Sequence, residues 1–277
     1  MNNIVFGQYY PSDSLVHRLD PRVKLLAVIF YIVTVFFVKD FAMYAALFLF
    51  VFAVALIAKI PLKVLFRTVR AIVFLVLVTS VINLFFTQGE TIWVHWKFIK
   101  IYKEGVERAI KLALRLILLM LFPSLLTLTT TPMELTDALE SLMSPLKLIK
   151  VPVHAIALIM SIALRMIPIL MEETNKIMLA QKARGADFDT GGALKKAKAM
   201  IPVLVPLFVG AFRRADELAL AMDARCYSSV AKRTKYKVMH LAWRDLYASL
   251  FCLAVFSLVF LNKYLWAFDE MILALFK

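Results

Sequence analysis

Residues 25–38 read "LLAVIFYIVTVFFV", a run without a charge. At roughly 1.5 Å per helical residue it covers about 21 Å, short of the roughly 30 Å hydrocarbon core of a bilayer. The flanking Arg22, Lys24 and Lys39 complete a span only if their charged heads snorkel to the interface. The start of the helix is well marked. Asp20 suits the N-cap and Pro21 the first helical position. Lys39-Asp40 is then a very short turn, and a second apolar run follows. The pattern predicts spans over about 23–39, 41–58, 71–87 and 111–131, with Pro123 kinking the fourth.

The composition agrees with this reading. The chain is 62% hydrophobic with a mean hydropathy of +0.80, against roughly 45–50% apolar residues in soluble domains. The 22 Phe and 13 Met suit a lipid-facing helix surface, and 7 Gly with 10 Pro leave little room for long linkers. The net charge of +14 is read as Lys and Arg collected on the cytoplasmic side, and not as a nucleic-acid surface. Cys226 and Cys252 form no disulfide framework and no zinc spacing, and the four histidines are scattered. The first twenty residues are polar and lack the apolar run of a cleavable signal. No metal and no cofactor is expected.

Residues 59–70, "KIPLKVLFRTVR", hold four basic residues and no acid. They read as a cytoplasmic loop, which puts the N-terminus inside. Residues 87–110 then lie outside, where "TIWVHWKFIKIY" suits a short hairpin or an interfacial aromatic lid. At Thr131 the texture changes. Thr131 and Glu134 make a capping box, with Pro132 at the first helical position. From 132 to 240 apolar runs alternate with charge, and 170–240 carries a net of +6. The runs at 153–171 and 199–212 are broken by Arg165, Pro168, Pro202 and Pro206, so they read as amphipathic helices at or under the cytoplasmic face. Residues 245–268 are a last clean span, which puts the C-terminus outside.

The expected fold is therefore an all-α integral membrane protein of about five transmembrane helices. A cytoplasmic-side domain of amphipathic helices is inserted before the last span. The expected divisions are 1–131, 132–240 and 241–277.

Two stretches of the insert match. "LAQKARG" at 179–185 and "LAMDARC" at 220–226 both read Leu-Ala-x-x-Ala-Arg, with the arginines 41 positions apart. Ala180 and Ala183, like Ala221 and Ala224, have the small-residue spacing that permits close helix approach. Gly185 fits a helix C-terminus. Arg184 and Arg225 then sit in a last turn, where a cation suits the helix dipole. A single such arginine is an ordinary basic helix end. Two in matched frames suggest two equivalent sockets, because a guanidinium offers a planar fork to carboxylates or carbonyls.

These ends resemble the paired coupling motifs of the transmembrane T component of energy-coupling factor transporters, the family that includes cobalt transport permeases. "GQYYPSDSLVHRLDPRVKLL", "TTTPMELTDALESLMSPLK", "SIALRMIPILMEE" and "PLFVGAFRRADELALAMDARCY" also resemble that family, in order and over nearly the whole chain. Cys226 stands where glycine is common. The resemblance implies a prokaryotic cell-membrane scaffold without a catalytic site. Its coupling helices dock into two cytoplasmic ABC-type ATPases through Ala183, Arg184, Gly185, Ala224, Arg225 and Cys226. It also holds a small membrane-embedded substrate-binding S component for vitamin or metal-ion uptake.

The residues support one part of this independently. No G-x-x-x-x-G-K-[ST] phosphate loop is present, so energy has to arrive from a partner. The competing reading is a stand-alone secondary transporter or channel, which needs polar groups converging inside the membrane. The clean runs 25–38, 41–58 and 71–86 supply only Thr34, Thr79, Ser80 and Asn83 beyond Tyr. A membrane enzyme lacks any His, Cys or carboxylate cluster of usable spacing. Arg115 and Arg165 lie in apolar runs, where Arg115 snorkels outward. Glu172 and Glu173 suit pairing with basic residues. Arg213, Arg214, Asp216 and Glu217 make a mixed-sign helix face, which suits a solvated or salt-bridged surface.

Overall fold

The structure is a computed structural model that describes residues 9–38, 40–87, 92–96, 99–188, 192–227 and 241–275. Among the described residues there are eight α-helices: α1 Pro21–Phe37, α2 Phe41–Ile57, α3 Leu62–Phe86, α4 Lys103–Thr129, α5 Pro132–Leu142, α6 Val153–Ala183, α7 Ala193–Ala224 and α8 Trp243–Leu275. A short 3₁₀ helix, Ser144–Ile149, lies between α5 and α6. An antiparallel hairpin, β1 Ile92–Trp96 with β2 Ile99–Tyr102, forms where β-formers cluster.

The chain divides into two compact units, residues 1–138 with 239–277, and residues 139–238. In the first unit α4 packs on α1, α2 and α3, and α1 also packs on α8. Its core is built on Tyr31, Val35, Tyr44, Leu47 and Leu118, all at or below 1% exposure. The Tyr31 ring lies 4.3 Å from that of Phe122, with Phe50 and Phe256 around it. Outward faces are as apolar as the core: Phe66, Phe74 and Phe86 of α3 are 70–81% exposed. An apolar surface of that extent calls for a non-aqueous neighbour.

Several local expectations hold and others are corrected. Asp20 caps α1 by accepting the Arg22 N–H at 2.9 Å. Thr131 and Glu134 form the reciprocal capping box, at 3.1 and 3.3 Å. The basic stretch 59–70 is not a loop, because α3 begins at Leu62. Lys63, Arg67 and Arg70 recur at i, i+4 and i+7, so one exposed helical face carries them. The runs at 153–171 and 199–212 are helical, as expected, and the helices extend beyond them. Each is part of one long helix, α6 through Pro168 and α7 through Pro202 and Pro206. α4 likewise runs through Pro123. By length and composition α4 and α6 are both apolar enough to cross a membrane, and α2 and residues 72–86 are shorter apolar helices.

Lys24 does not snorkel. It is buried, and its Nζ donates to the carbonyls of His17 and Thr129 and to Thr130 Oγ1, at 3.0–3.3 Å. Arg115 also turns inward, donating to the Val38 carbonyl at the end of α1, where a cation suits the helix dipole. Lys39 lies outside the described residues.

A polar hub gathers four helix ends. Asp245 Oδ1 accepts the Asp20 N–H and Oδ2 the Ala242 N–H, both at 2.8 Å. One carboxylate thus caps the starts of α1 and α8 together. Ser12 donates to the carbonyl of Ala58 at the end of α2, and the Tyr10 N–H to that of Leu128 in α4. The starts of α1 and α8 and the ends of α2 and α4 therefore lie at one end of the bundle.

Candidate coupling ends and their relatives

α6 and α7 pack on each other within the second unit. Glu173 of α6 pairs with Arg214 of α7, and a Cβ at Gly210 would stand 3.2 Å from Glu173 Oε1. Eight residues further along α6, Gln181 Nε2 donates to the carbonyl of Pro202 at 3.5 Å. Position 173 meets 210–214 and position 181 meets 202, so the two helices run antiparallel. The expected pairing of Glu173 with a basic residue is present, whereas Arg213, Asp216 and Glu217 are exposed, with no ion pair among the described residues. Arg165 is exposed.

The Gln181 contact has a chemical reason. Pro206 lacks the N–H that an ordinary residue would donate to the carbonyl four positions earlier, which is that of Pro202. The Gln181 amide supplies the missing donor from the neighbouring helix. Glutamine is thus placed inside "LAQKARG" by a proline pair in the next helix.

The two matched stretches end in the same pair of turn bonds. In the first, the Gly185 N–H donates to Lys182 O at 3.0 Å and the Ala186 N–H to Gln181 O at 2.9 Å. In the second, the Cys226 N–H donates to Asp223 O at 2.9 Å and the Tyr227 N–H to Met222 O at 3.0 Å. Both are Schellman motifs, with Ala183 or Ala224 as the last helical residue and Arg184 or Arg225 at the C-cap. Gly185 has φ +88° and Cys226 φ +54°. Cysteine has a Cβ to accommodate in this left-handed conformation, which glycine does not.

A Schellman turn alone is not distinctive, since α2 ends in one at Lys59, with φ 55°. That end is buried: Ala58 is 0% and Ile60 3% exposed. Ala183, Arg184, Gly185, Ala224, Arg225 and Cys226 are all exposed. Neither arginine side chain has a hydrogen bond or ion pair among the described residues. Because α6 and α7 are antiparallel, the two tips project from opposite ends of the helix contact. The structure therefore does not bring the six residues into one cluster. It makes two separate, equivalent, uncommitted cations.

The remaining chemistry is sparse. Thr34, Thr79 and Asn83 each spend their side-chain donors on carbonyls of their own helix, at 2.8–2.9 Å. Among the described residues no three His, Cys, Asp or Glu side chains are placed to hold a metal ion. His17 is part of the hub. Its Nε2 lies 3.0 Å from the carbonyl of Tyr10 and its Nδ1 2.7 Å from Ser14 Oγ. A carbonyl only accepts, so Nε2 carries the proton and Nδ1 accepts from Ser14. Burial holds this imidazole below its ordinary range.

Sequence reasoning missed the hub. Asp245 and Lys24 could have been flagged as charges set against apolar runs. Their partners are 225 and 105 positions away, and no local spacing signals such pairs.

Comparison with known proteins places these features in a family. The cobalt transport protein family, CbiQ, matches residues 12–236. The chain is 48% identical over 259 residues to the energy-coupling factor transporter transmembrane protein EcfT of Acidaminococcus fermentans, covering 94% of this chain and 96% of that one. It is 46% identical to the EcfT of Clostridium kluyveri, over 96% of this chain and 99% of the relative. It is 45% identical to that of Bacillus subtilis, over 88% and 92%.

Proposed function

This chain belongs to the CbiQ cobalt transport protein family, and on that premise we propose that it is the membrane scaffold of an energy-coupling factor importer. It links two cytoplasmic ABC-type ATPases to a small membrane-embedded S component, which binds the vitamin or metal ion. The relatives' printed names support a transmembrane transporter component. The docking role rests on one observation: two helix ends with the same cap geometry each present an exposed, unengaged arginine.

The mechanism follows from how those arginines are held. A C-cap residue in a Schellman turn has its backbone fixed by two bonds, so its side chain projects from a rigid tip. A guanidinium docks in bidentate fashion on carboxylate or carbonyl groups of a groove. Ala183 and Ala224, just before each arginine, keep the tip narrow enough to enter. When ATP draws the two ATPases together, forces on the two tips are transmitted along α6 and α7. The helices are joined by the Glu173–Arg214 pair and the Gln181–Pro202 bond, so they respond as one lever.

Topology agrees with this arrangement. α4 ends and α8 begins at the same end of the first unit, both against the start of α1. The intervening insert therefore crosses the bilayer an even number of times, or not at all. α6 is apolar enough to cross, but α7 carries Lys195, Lys196, Lys198, Arg213, Arg214, Asp216 and Glu217. We read both as lying at the cytoplasmic face, with the N-terminus inside, the C-terminus outside and five spans in all.

The test is retention of the ATPases. With Arg184→Glu and Arg225→Glu together, the chain is expected to stay folded in the membrane and to lose its ATPase subunits on mild detergent extraction. Each single change is expected to weaken retention roughly tenfold, the loss of one charge-assisted contact. Undiminished co-purification and transport by the double variant would overturn the proposal. Transport by the purified chain alone in liposomes would favour a stand-alone transporter instead.

A further inference from the structure

The first unit contains a cavity of about 340 Å³ between α1, α2, α4 and α8. Its walls are apolar, with Ala27, Phe50, Phe122, Ala248 and Phe251 among them. That volume lies in the range of small-ligand sites. Its mouth is open to the surroundings of the bundle, since Leu15 and Phe251 on its wall are 65% and 60% exposed.

Two charged side chains line the cavity, Lys24 and Arg244, and only the first is engaged among the described residues. The Lys24 ammonium is committed to the His17 and Thr129 carbonyls and to Thr130. Thr129 Oγ1 donates to Leu125 O. Arg244 is the exception: it lines the cavity and is exposed, with no partner among the described residues. The adjacent carboxylate, Asp245, is buried and already holds the Asp20 and Ala242 N–H groups. Arg244 is flanked by Trp243 and Tyr247, 78% and 70% exposed, residue types that favour the membrane interface.

We propose that this cavity is a binding site for one anionic phospholipid. An acyl chain fills the apolar cavity and the phosphate sits on the Arg244 guanidinium. The occupant follows from the chemistry of the two parts. Apolar walls opening toward hydrocarbon take a hydrocarbon chain, and a free guanidinium at headgroup depth takes a phosphate in bidentate fashion. The inference rests on the chain lying in a bilayer and is independent of ATPase docking.

The experiment uses the full chain, reconstituted in vesicles of phosphatidylglycerol and phosphatidylcholine with identical acyl chains. Mild extraction and native mass spectrometry then count the lipids retained. One lipid per chain is expected, with phosphatidylglycerol enriched about tenfold over its share. Arg244→Gln abolishes the enrichment and keeps the lipid, and Arg244→Lys retains part of it. Ala248→Phe fills the cavity and lowers retention of both lipids. Either a wild-type chain without headgroup preference or an unchanged preference in Arg244→Gln overturns the proposal. So does a photoreactive residue at position 15 that crosslinks in native membranes to a protein in place of phospholipid.

Discussion

Asp245 Oδ1 accepts the backbone N–H of Asp20 at 2.8 Å, joining residues 225 positions apart at the starts of α1 and α8. The other oxygen caps α8 itself through Ala242. A carboxylate at two helix N-termini meets the positive end of both dipoles. Asp245 is 3% exposed, so its removal leaves two donors without an acceptor. Asp245→Ala is expected to cost about 2–3 kcal/mol, the scale of hydrogen bonds to a buried charged group. Thermal unfolding of the detergent-solubilised chain checks this. A change below about 0.5 kcal/mol would show that the hub does not hold the helix ends.

His17 gives that same hub a pH dependence. The imidazole is neutral, donating from Nε2 to Tyr10 O and accepting at Nδ1 from Ser14. Burial lowers its pKa from the unfolded value of about 6.5. The unfolded chain therefore takes up a proton first as pH falls. The stabilising contribution is complete above about 6.5 and is lost progressively below it, down to the folded pKa. Thermal stability is expected to fall between pH 7.5 and 5.5, and the His17→Gln variant is expected to show a weaker slope. An unchanged slope would place the acid sensitivity elsewhere.

The parts of the fold legible in the sequence were those set by short-range rules. Asp20-Pro21 and Thr131-Pro132-x-Glu134 each satisfy their caps within four residues, and both form as read. The apolar runs of α1, α2 and α4 also translate directly. Pro168, Pro202 and Pro206 were read as breaks, yet α6 and α7 continue through them. A proline removes one donor, and a neighbouring helix can replace it, as Gln181 does. The charge of residues 63, 67 and 70 suits a loop, but their 3.6 periodicity is that of one face of α3. The matched arginine ends were visible as a repeat. Their cap bonds and exposure were not, because both depend on where the chain turns after position 184 or 225.

The two caps differ at the left-handed position, Gly185 against Cys226, and that difference is measurable. Gly185 adopts φ +88° without strain, and a Cβ placed there meets nothing within 4 Å. Any penalty for Gly185→Ala is therefore a backbone penalty, about 1 kcal/mol. Cys226 already bears a penalty of that kind at φ +54°. Cys226→Gly is expected to slow hydrogen exchange of the Cys226 and Tyr227 amides roughly fivefold, the equivalent of about 1 kcal/mol. Gly185→Ala is expected to speed exchange at positions 185 and 186 by a similar factor. Opposite signs at the two sites are the signature of one shared geometry. Equal signs would mean that the turns are not equivalent in solution.

Gln181 and Pro206 offer a stricter test of the lever. If the Gln181 amide replaces the donor that Pro206 lacks, its value depends on proline being there. Gln181→Leu alone is expected to destabilise the α6–α7 pair by about 1 kcal/mol, the usual net worth of a hydrogen bond. Pro206→Ala returns an N–H to the Pro202 carbonyl from within α7. In that background Gln181→Leu is expected to cost close to nothing. The coupling in this double-mutant cycle is then about 1 kcal/mol, readable by hydrogen exchange across residues 173–183 and 202–214. In transport assays Gln181→Leu should lower uptake while leaving ATPase retention intact, because the arginine tips are untouched. Strictly additive effects would mean that the 3.5 Å contact is incidental and that the Glu173–Arg214 pair joins the helices alone.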